Sequence, residues 1–127
     1  MIKRVVAERG GRKVILMDSI SHVDAGDAGH IVVSGSHGGA SGGEFAGQYK
    51  LAAVFLNDAG IGKDNAGIAA LGMLEVPAAT ASHQSARIGD AEDMWLNGVI
   101  SHVNSAAASR GVRVGEPLQD AVNRLLA

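Results

Sequence analysis

Three times between residues 30 and 110, a short apolar run ends in a polar loop and gives way to a helical pattern. This alternation is the strongest constraint on the fold. Strands that alternate with helices are joined by right-handed β-α-β crossovers, and these build a parallel sheet. The first unit is a strand over 30–34, the loop "SGSHGGASGG" and a helix near 42–50. Its start is set by a Ser41/Glu44 capping box, in which side chains satisfy two otherwise orphaned N–H groups. The second is the continuous apolar strand "LAAVFLND", the loop "AGIGKDN" and a helix near 65–75, with Asp64 as N-cap and Ile68, Leu71 and Gly72 on one face.

The third unit begins at Pro77 with "AATAS", then "HQSARIG", then a helix capped by Asp90 with Asp93 at its third position. The spacing of Leu96, Ile100, Val103 and Ala107, with Trp95, Val99 and Ala106 beside them, predicts that this helix continues to Gly111. Gly111 is expected as a left-handed terminator with Val112 in apolar contact behind it. His102 then lies inside the helix and reads as structural or as part of a subunit contact. A last helix opens at Pro117 and buries Leu118, Ala121, Val122 and Leu125. Ahead of the three units, Gly10-Gly11 between two strand-like runs predicts a hairpin, because both positions tolerate positive φ. The expected architecture is a single α/β domain over residues 1–127. It has a mainly parallel sheet of β-α-β units, with the antiparallel hairpin at one edge.

In such a sheet, the loops that follow the strands gather on one edge, and ligands usually bind there. Those loops carry most of the polar side chains. Two hold the same pair, Ser36-His37 and Ser82-His83, and the middle one places Asn57-Asp58 at the matching position. Histidine exchanges protons near neutrality, which suits acid–base catalysis. A carboxylate beside it orients the ring and stabilises its cation. We therefore take His37, His83 and Asp58 as candidate catalytic residues, with His37 foremost. Candidate ligand-binding groups are Ser34, Ser36, Gly38, Gly39, Asn57, Lys63, Ser82, Ser85 and Arg87. Glycine N–H groups can steady an oxyanion, and a guanidinium can clamp a carboxylate or phosphate. Each has a plainer reading as well. Ser-His pairs form turns, Asn57-Asp58 can close an Asx-turn, Lys63 can be a solvated lysine, and Arg87 can pair with Asp90 or Asp93. His22 and His30 flank a loop and carry no assigned role.

A phosphate cradle is disfavoured. All three expected helix starts carry acids (Glu44, Asp64, and Asp90 with Glu92 and Asp93), which occupy the free N–H groups and repel phosphate. Neither G-x-x-x-x-G-K-[ST] nor G-x-G-x-x-G occurs. The His37-Gly38 pair after a strand resembles the histidine loop of caspase-like and gingipain-like peptidases. That family requires a cysteine after the next strand, where this chain has "NDAG", and the chain contains no cysteine, so the resemblance is set aside. No cofactor is expected. His37 and His83 with Asp58 or Asp90 would make an adequate nitrogen–oxygen ligand set for a divalent metal, although no local H-x-x-x-H motif supports one.

The net charge of −2 and pI near 6.2 give no electrostatic footprint for nucleic acid or membrane. The segment "MIKRVVAERGGRK" has no apolar signal core, no run approaches membrane-spanning length, and the lack of cysteine excludes a disulfide scaffold. A cytoplasmic protein is the expectation. With 18 glycines and only four aromatics in 127 residues, each side chain buries little area, so a homo-oligomer is expected. The functional expectation is a hydrolase- or lyase-type enzyme acting on a small polar, carboxylate-bearing metabolite. The alternatives are a non-catalytic ligand-binding or accessory subunit and a divalent-metal enzyme using His37, His83 and Asp58.

Overall fold

The computed structural model describes residues 2–37, 48–59 and 76–127. Gly10 and Gly11 both adopt positive φ (61° and 83°), which the twist of a two-residue hairpin demands. They join β1 (Lys3–Arg9) to β2 (Arg12–Met17). Next come β3 (Ile31–His37), β4 (Ala53–Asn57), β5 (Ala78–Ala81) and β6 (Ile100–Val103). The six strands form one sheet in sequence order. β2 to β5 run parallel, whereas β1 and β6 pair antiparallel at the two edges. The sheet is therefore mixed, with an antiparallel strand at each edge rather than at one.

Side chains alternate across the sheet and build two cores. One face carries Val14, Leu16, Ile31, Val33, Ala53 and Phe55, packed beneath α1 (Ala91–Asn97), α2 (Ser105–Ser109) and α3 (Leu118–Leu126). The opposite face carries Ile15, Met17, Val32, Val54 and Leu56, packed with Ile20, Val23 and Leu51. Because the central strands are buried on both sides, they read as continuous apolar runs. The last helix buries Leu118, Ala121, Val122 and Leu125, as its spacing predicts, with Pro117 as N-cap.

The long helix expected from Asp90 to Gly111 is instead three elements. Asp90 does cap α1, its side chain accepting the Asp93 N–H at 2.9 Å. Gly98 then stops the helix in extended geometry, its N–H donating to Met94 O. A Cβ at Gly98 would lie 2.4 Å from that carbonyl, so only glycine fits. The β-branched residues that follow favour a strand. Ile100 and Val103 become part of β6, and His102 sits in a strand, not a helix. Asn104 starts α2 by accepting the Ala107 N–H, and it also accepts Ala78 N–H and donates to Val76 O. At the far end Gly111 takes φ 91°. Its N–H bonds Ala108 O and the Val112 N–H bonds Ala107 O, which is the expected Schellman ending. The helix expected near 65–75 and residues 42–47 of the one expected near 42–50 lie outside the described residues, as do Ser41, Glu44, Asp64, Ile68, Leu71 and Gly72, whereas residues 48–50 form a turn and not a helix.

Candidate functional site at the carboxyl edge of the sheet

β3, β4 and β5 end side by side. His37 is the register partner of Asn57, and Asn57 is the partner of Ala81. Neighbouring strands stand about 4.8 Å apart, so these three ends span roughly 10 Å. The chain leaves β4 at Asp58, whose N–H donates to Ala81 O, and leaves β5 at Ser82-His83. This brings Asp58 and His83 together. The His83 ring Nδ1 lies 2.6 Å from Asp58 Oδ1, and the His83 backbone N–H donates to the same oxygen at 2.8 Å.

The environments of the two partners differ. The Asp58 side chain is 11% exposed and the His83 side chain 57% exposed. Burial pushes the Asp58 carboxyl up, but hydrogen bonds from the His83 ring and the His83 backbone N–H outweigh it and hold the carboxyl below its ordinary value. With Nδ1 committed to Asp58, none of the described residues hydrogen-bonds His83 Nε2. His83, Ser85, Arg87, Ile88 and Ala59 line an open cleft of about 390 Å³. Arg87 is exposed and also borders a second, acidic cleft with Asp90, Glu92 and Asp93. Its backbone N–H donates to Asp93 Oδ2 at 2.7 Å.

Several predicted ligand groups are engaged by the fold. Ser34 is fully buried, and its hydroxyl accepts the Ser36 N–H. The Ser36 hydroxyl accepts the Ile20 N–H at 2.8 Å. Asn57 is buried: its Oδ1 accepts the Ala59 N–H in an Asx-turn, and its Nδ2 donates to Ala86 O. Ser82 Oγ accepts the Gln84 N–H. Ser85 Oγ donates to Ser82 O at 2.7 Å and accepts the Val99 N–H. His37 ends β3 in an exposed position beside the Asp58 strand. Gly38, Gly39 and Lys63 lie outside the described residues.

The glycine-rich run has a further structural use. Gly35 packs against its own chain: its carbonyl accepts the Gly89 N–H at 2.7 Å, and a Cβ there would stand 2.5 Å from Asp90 N. That contact fixes the end of the His83 loop and the start of α1 against β3. The Asp18 carboxylate, just past β2, adds to the same junction by accepting the Ile2 and Ala91 N–H groups.

Sequence reading placed His102 on the wrong type of element and missed its contact with Thr80, whose hydroxyl also lies 2.8 Å from that of Ser101. The available signal was Thr80, the one hydroxyl within an otherwise all-alanine strand. Among the described residues, no three His, Asp or Glu side chains converge as a metal site requires. No described helix is long and apolar enough to cross a membrane. Compared with known proteins, the chain matches no family model, no curated protein and no solved structure.

Proposed function

We propose that this protein is a small acid–base enzyme of hydrolase or lyase type, acting on a small polar metabolite that carries a carboxylate. The observation that carries the reading is the His83–Asp58 pair, a largely buried carboxylate on one nitrogen of a solvent-facing imidazole. Asp58 keeps the proton on Nδ1, so the lone pair on Nε2 is the basic end directed away from it. When Nε2 takes a proton from water or from substrate carbon, Asp58 stabilises the imidazolium; the proton is then returned to the leaving group. Arg87 on the same cleft supplies a cation for the substrate carboxylate.

The serine hydroxyls of the loop are less suited to attack. Ser85 spends its proton on Ser82 O, and Ser82 accepts a backbone N–H. The reading therefore favours water activation or proton abstraction over a covalent serine intermediate. His83 takes the leading role first assigned to His37, which remains a second acid/base on the adjacent strand end. A homo-oligomer and a cytoplasmic location belong to the same proposal. Ile88 and Leu96, exposed beside the clefts, are apolar surface that a second copy would cover.

The test compares wild type with His83→Ala on a panel of small carboxylate-bearing esters, amides and hydroxy acids. Each compound is followed for turnover and, by calorimetry, for binding. The proposal expects turnover that falls at least about 100-fold in the variant while binding persists. Binding without turnover in both proteins would support a non-catalytic ligand-binding subunit. Equal turnover in both would remove His83 from the chemistry.

A further inference from the structure

Among the described residues, four large apolar side chains stand exposed: Val5, Ile88, Leu96 and Val114. Val5 belongs to the hairpin, but the other three gather at one corner. Leu96 lies on the exposed face of α1, where helical spacing sets Glu92 and Asp93 beside it. These three, with Arg87 and Asp90, line a recess of about 410 Å³. Ile88 lines the adjoining His83 cleft, which shares Arg87 and Asp93 with the recess. Glu92 pairs with Arg4 and Arg87 offsets one further acid, so the recess keeps an excess of negative charge.

Val114 is 61% exposed and is a central residue of a turn closed by the Glu116 N–H donating to Arg113 O. The fold pins this turn. Glu116 Oε2 accepts the Arg113 N–H at 2.6 Å, and the Arg124 guanidinium holds both oxygens of Glu116 and donates to Gly111 O. The turn is also bonded to the chain just past α1. Gly115 N–H donates to Ile100 O, Ile100 N–H to Glu116 O, and Leu118 N–H to Gly98 O, all within 2.7–2.9 Å. Gly98 is two residues beyond Leu96, so the turn and the recess are neighbours on one surface. Arg110 and Arg113 are exposed near Val114 in the chain. Arg113 spends Nη1 on Ala108 O and Val112 O, and the Arg110 guanidinium bonds none of the described residues. With Glu116 neutralised by Arg124, the turn is an apolar knob with an excess of positive charge.

Knob and recess are complementary in shape and charge, and in a single chain both face solvent. We propose that a second copy of this chain covers this corner, with the Val114 turn of each copy seated in the Leu96 recess of the other. Because the two patches adjoin on one surface, a two-fold axis between them satisfies both contacts at once. The assembly then closes as a dimer instead of growing as a filament. The turn is already ordered, so docking costs little conformational entropy. The docked turn also walls the His83 cleft, since Arg87 and Asp93 line both recesses. The inference rests on the homo-oligomer of the proposed function, names its surface, and is independent of the acid–base chemistry.

The experiment is sedimentation equilibrium of the full chain over micromolar concentrations. Wild type, Val114→Glu, Leu96→Arg, the two substitutions combined, and Val5→Glu are compared. All the replaced side chains are exposed, and circular dichroism checks the fold of each variant. Wild type should be a dimer. Val114→Glu sets a carboxylate against the acids of the recess, and Leu96→Arg sets a guanidinium against Arg110 and Arg113. Each alone should weaken the dimer at least about 100-fold. Combined in one chain, they place opposite charges face to face and should return the dimer to within about tenfold of wild type. Val5→Glu should change nothing. The two single variants keep the test decisive if the combined one does not fold. A wild type that stays monomeric overturns the homo-oligomer and this interface together. A dimer indifferent to both single substitutions, not restored by the combined one, or weakened equally by Val5→Glu overturns this interface and leaves the homo-oligomer standing. Assemblies larger than two overturn the two-fold closure.

Discussion

Replacing Gly35 with alanine tests the contact that seats the His83 loop. The added Cβ would stand 2.5 Å from Asp90 N, 2.6 Å from Gly89 C and 2.9 Å from Gly89 Cα. All three are backbone atoms, so no side chain can swing aside, and the 89–90 segment must move by about 1 Å to restore contact distances. Overpacking of this kind costs about 1–3 kcal/mol. Losing the 2.7 Å Gly89–Gly35 hydrogen bond adds about 1 kcal/mol. Loosening the Asp90 cap of α1 adds about another 1 kcal/mol. Alanine gives back about 0.5 kcal/mol by stiffening the unfolded chain. The net loss is about 2.5–4.5 kcal/mol. At a urea slope of about 1.5 kcal/mol per molar, the unfolding midpoint should fall by roughly 2–3 M. Gly10→Ala is the control. Gly10 has φ 61° with nothing within 4 Å of a new Cβ, so alanine there costs only the left-handed strain of about 1–2 kcal/mol. A Gly35→Ala midpoint no lower than that of Gly10→Ala would refute the packing argument.

Asp58→Asn should erase part of the pH dependence of stability. The Asp58 carboxyl is depressed in the folded chain, so its contribution is complete above the ordinary carboxylate range near 4 and is lost as pH falls through its lower folded value. Urea titrations should therefore show the variant about 1–3 kcal/mol less stable at pH 7, with the gap closing below about pH 4. A gap that stays constant down to pH 2 would contradict this. Asn104→Ala leaves the Ala78 and Ala107 N–H groups without their acceptor and should cost about 2–4 kcal/mol by the same assay. Asn104→Asp keeps the acceptor but loses the donor to Val76 O and sets a buried carboxylate oxygen against it, so it should recover only part of that loss. Lys3→Met removes the cation shared by Asp24 and the buried Asp27 and should lower stability by about 1–3 kcal/mol. The difference should shrink in high salt.

The parts of the fold legible in the sequence were those set by local chemistry. Gly10-Gly11 dictates a hairpin, Asp90 a helix start and Gly111 a helix end, and each is where its chemistry requires. The break after Asn97 was not legible. Leu96, Ile100, Val103 and Ala107 fit a helical period, but Ile100 and Val103 fit an edge strand equally well, and pairing with β5 decides between them. A partner strand 20 residues upstream is tertiary information that a local period does not carry.

At the site, topology made Asp58 and His83 legible as neighbours, since loops after adjacent parallel strands must meet. The sequence did not distinguish polar groups free for a ligand from those the backbone needs. Ser34, Ser36 and Asn57 answer backbone N–H groups that the loops would otherwise leave unpaired. The Ser101–Thr80 link was hidden because it depends on a one-residue bulge, and alternation alone would point Ser101 to the other face.

The central claim is that Asp58 holds His83 with its proton on Nδ1 and Nε2 bare. The tautomer of His83 at about pH 9, read in wild type and in Asp58→Asn, tests it most directly. The account predicts Nδ1–H in wild type and a shift of at least about tenfold towards Nε2–H in the variant, where the charged acceptor is gone. A wild-type His83 protonated on Nε2, or a tautomer ratio indifferent to the loss of the Asp58 charge, would contradict it.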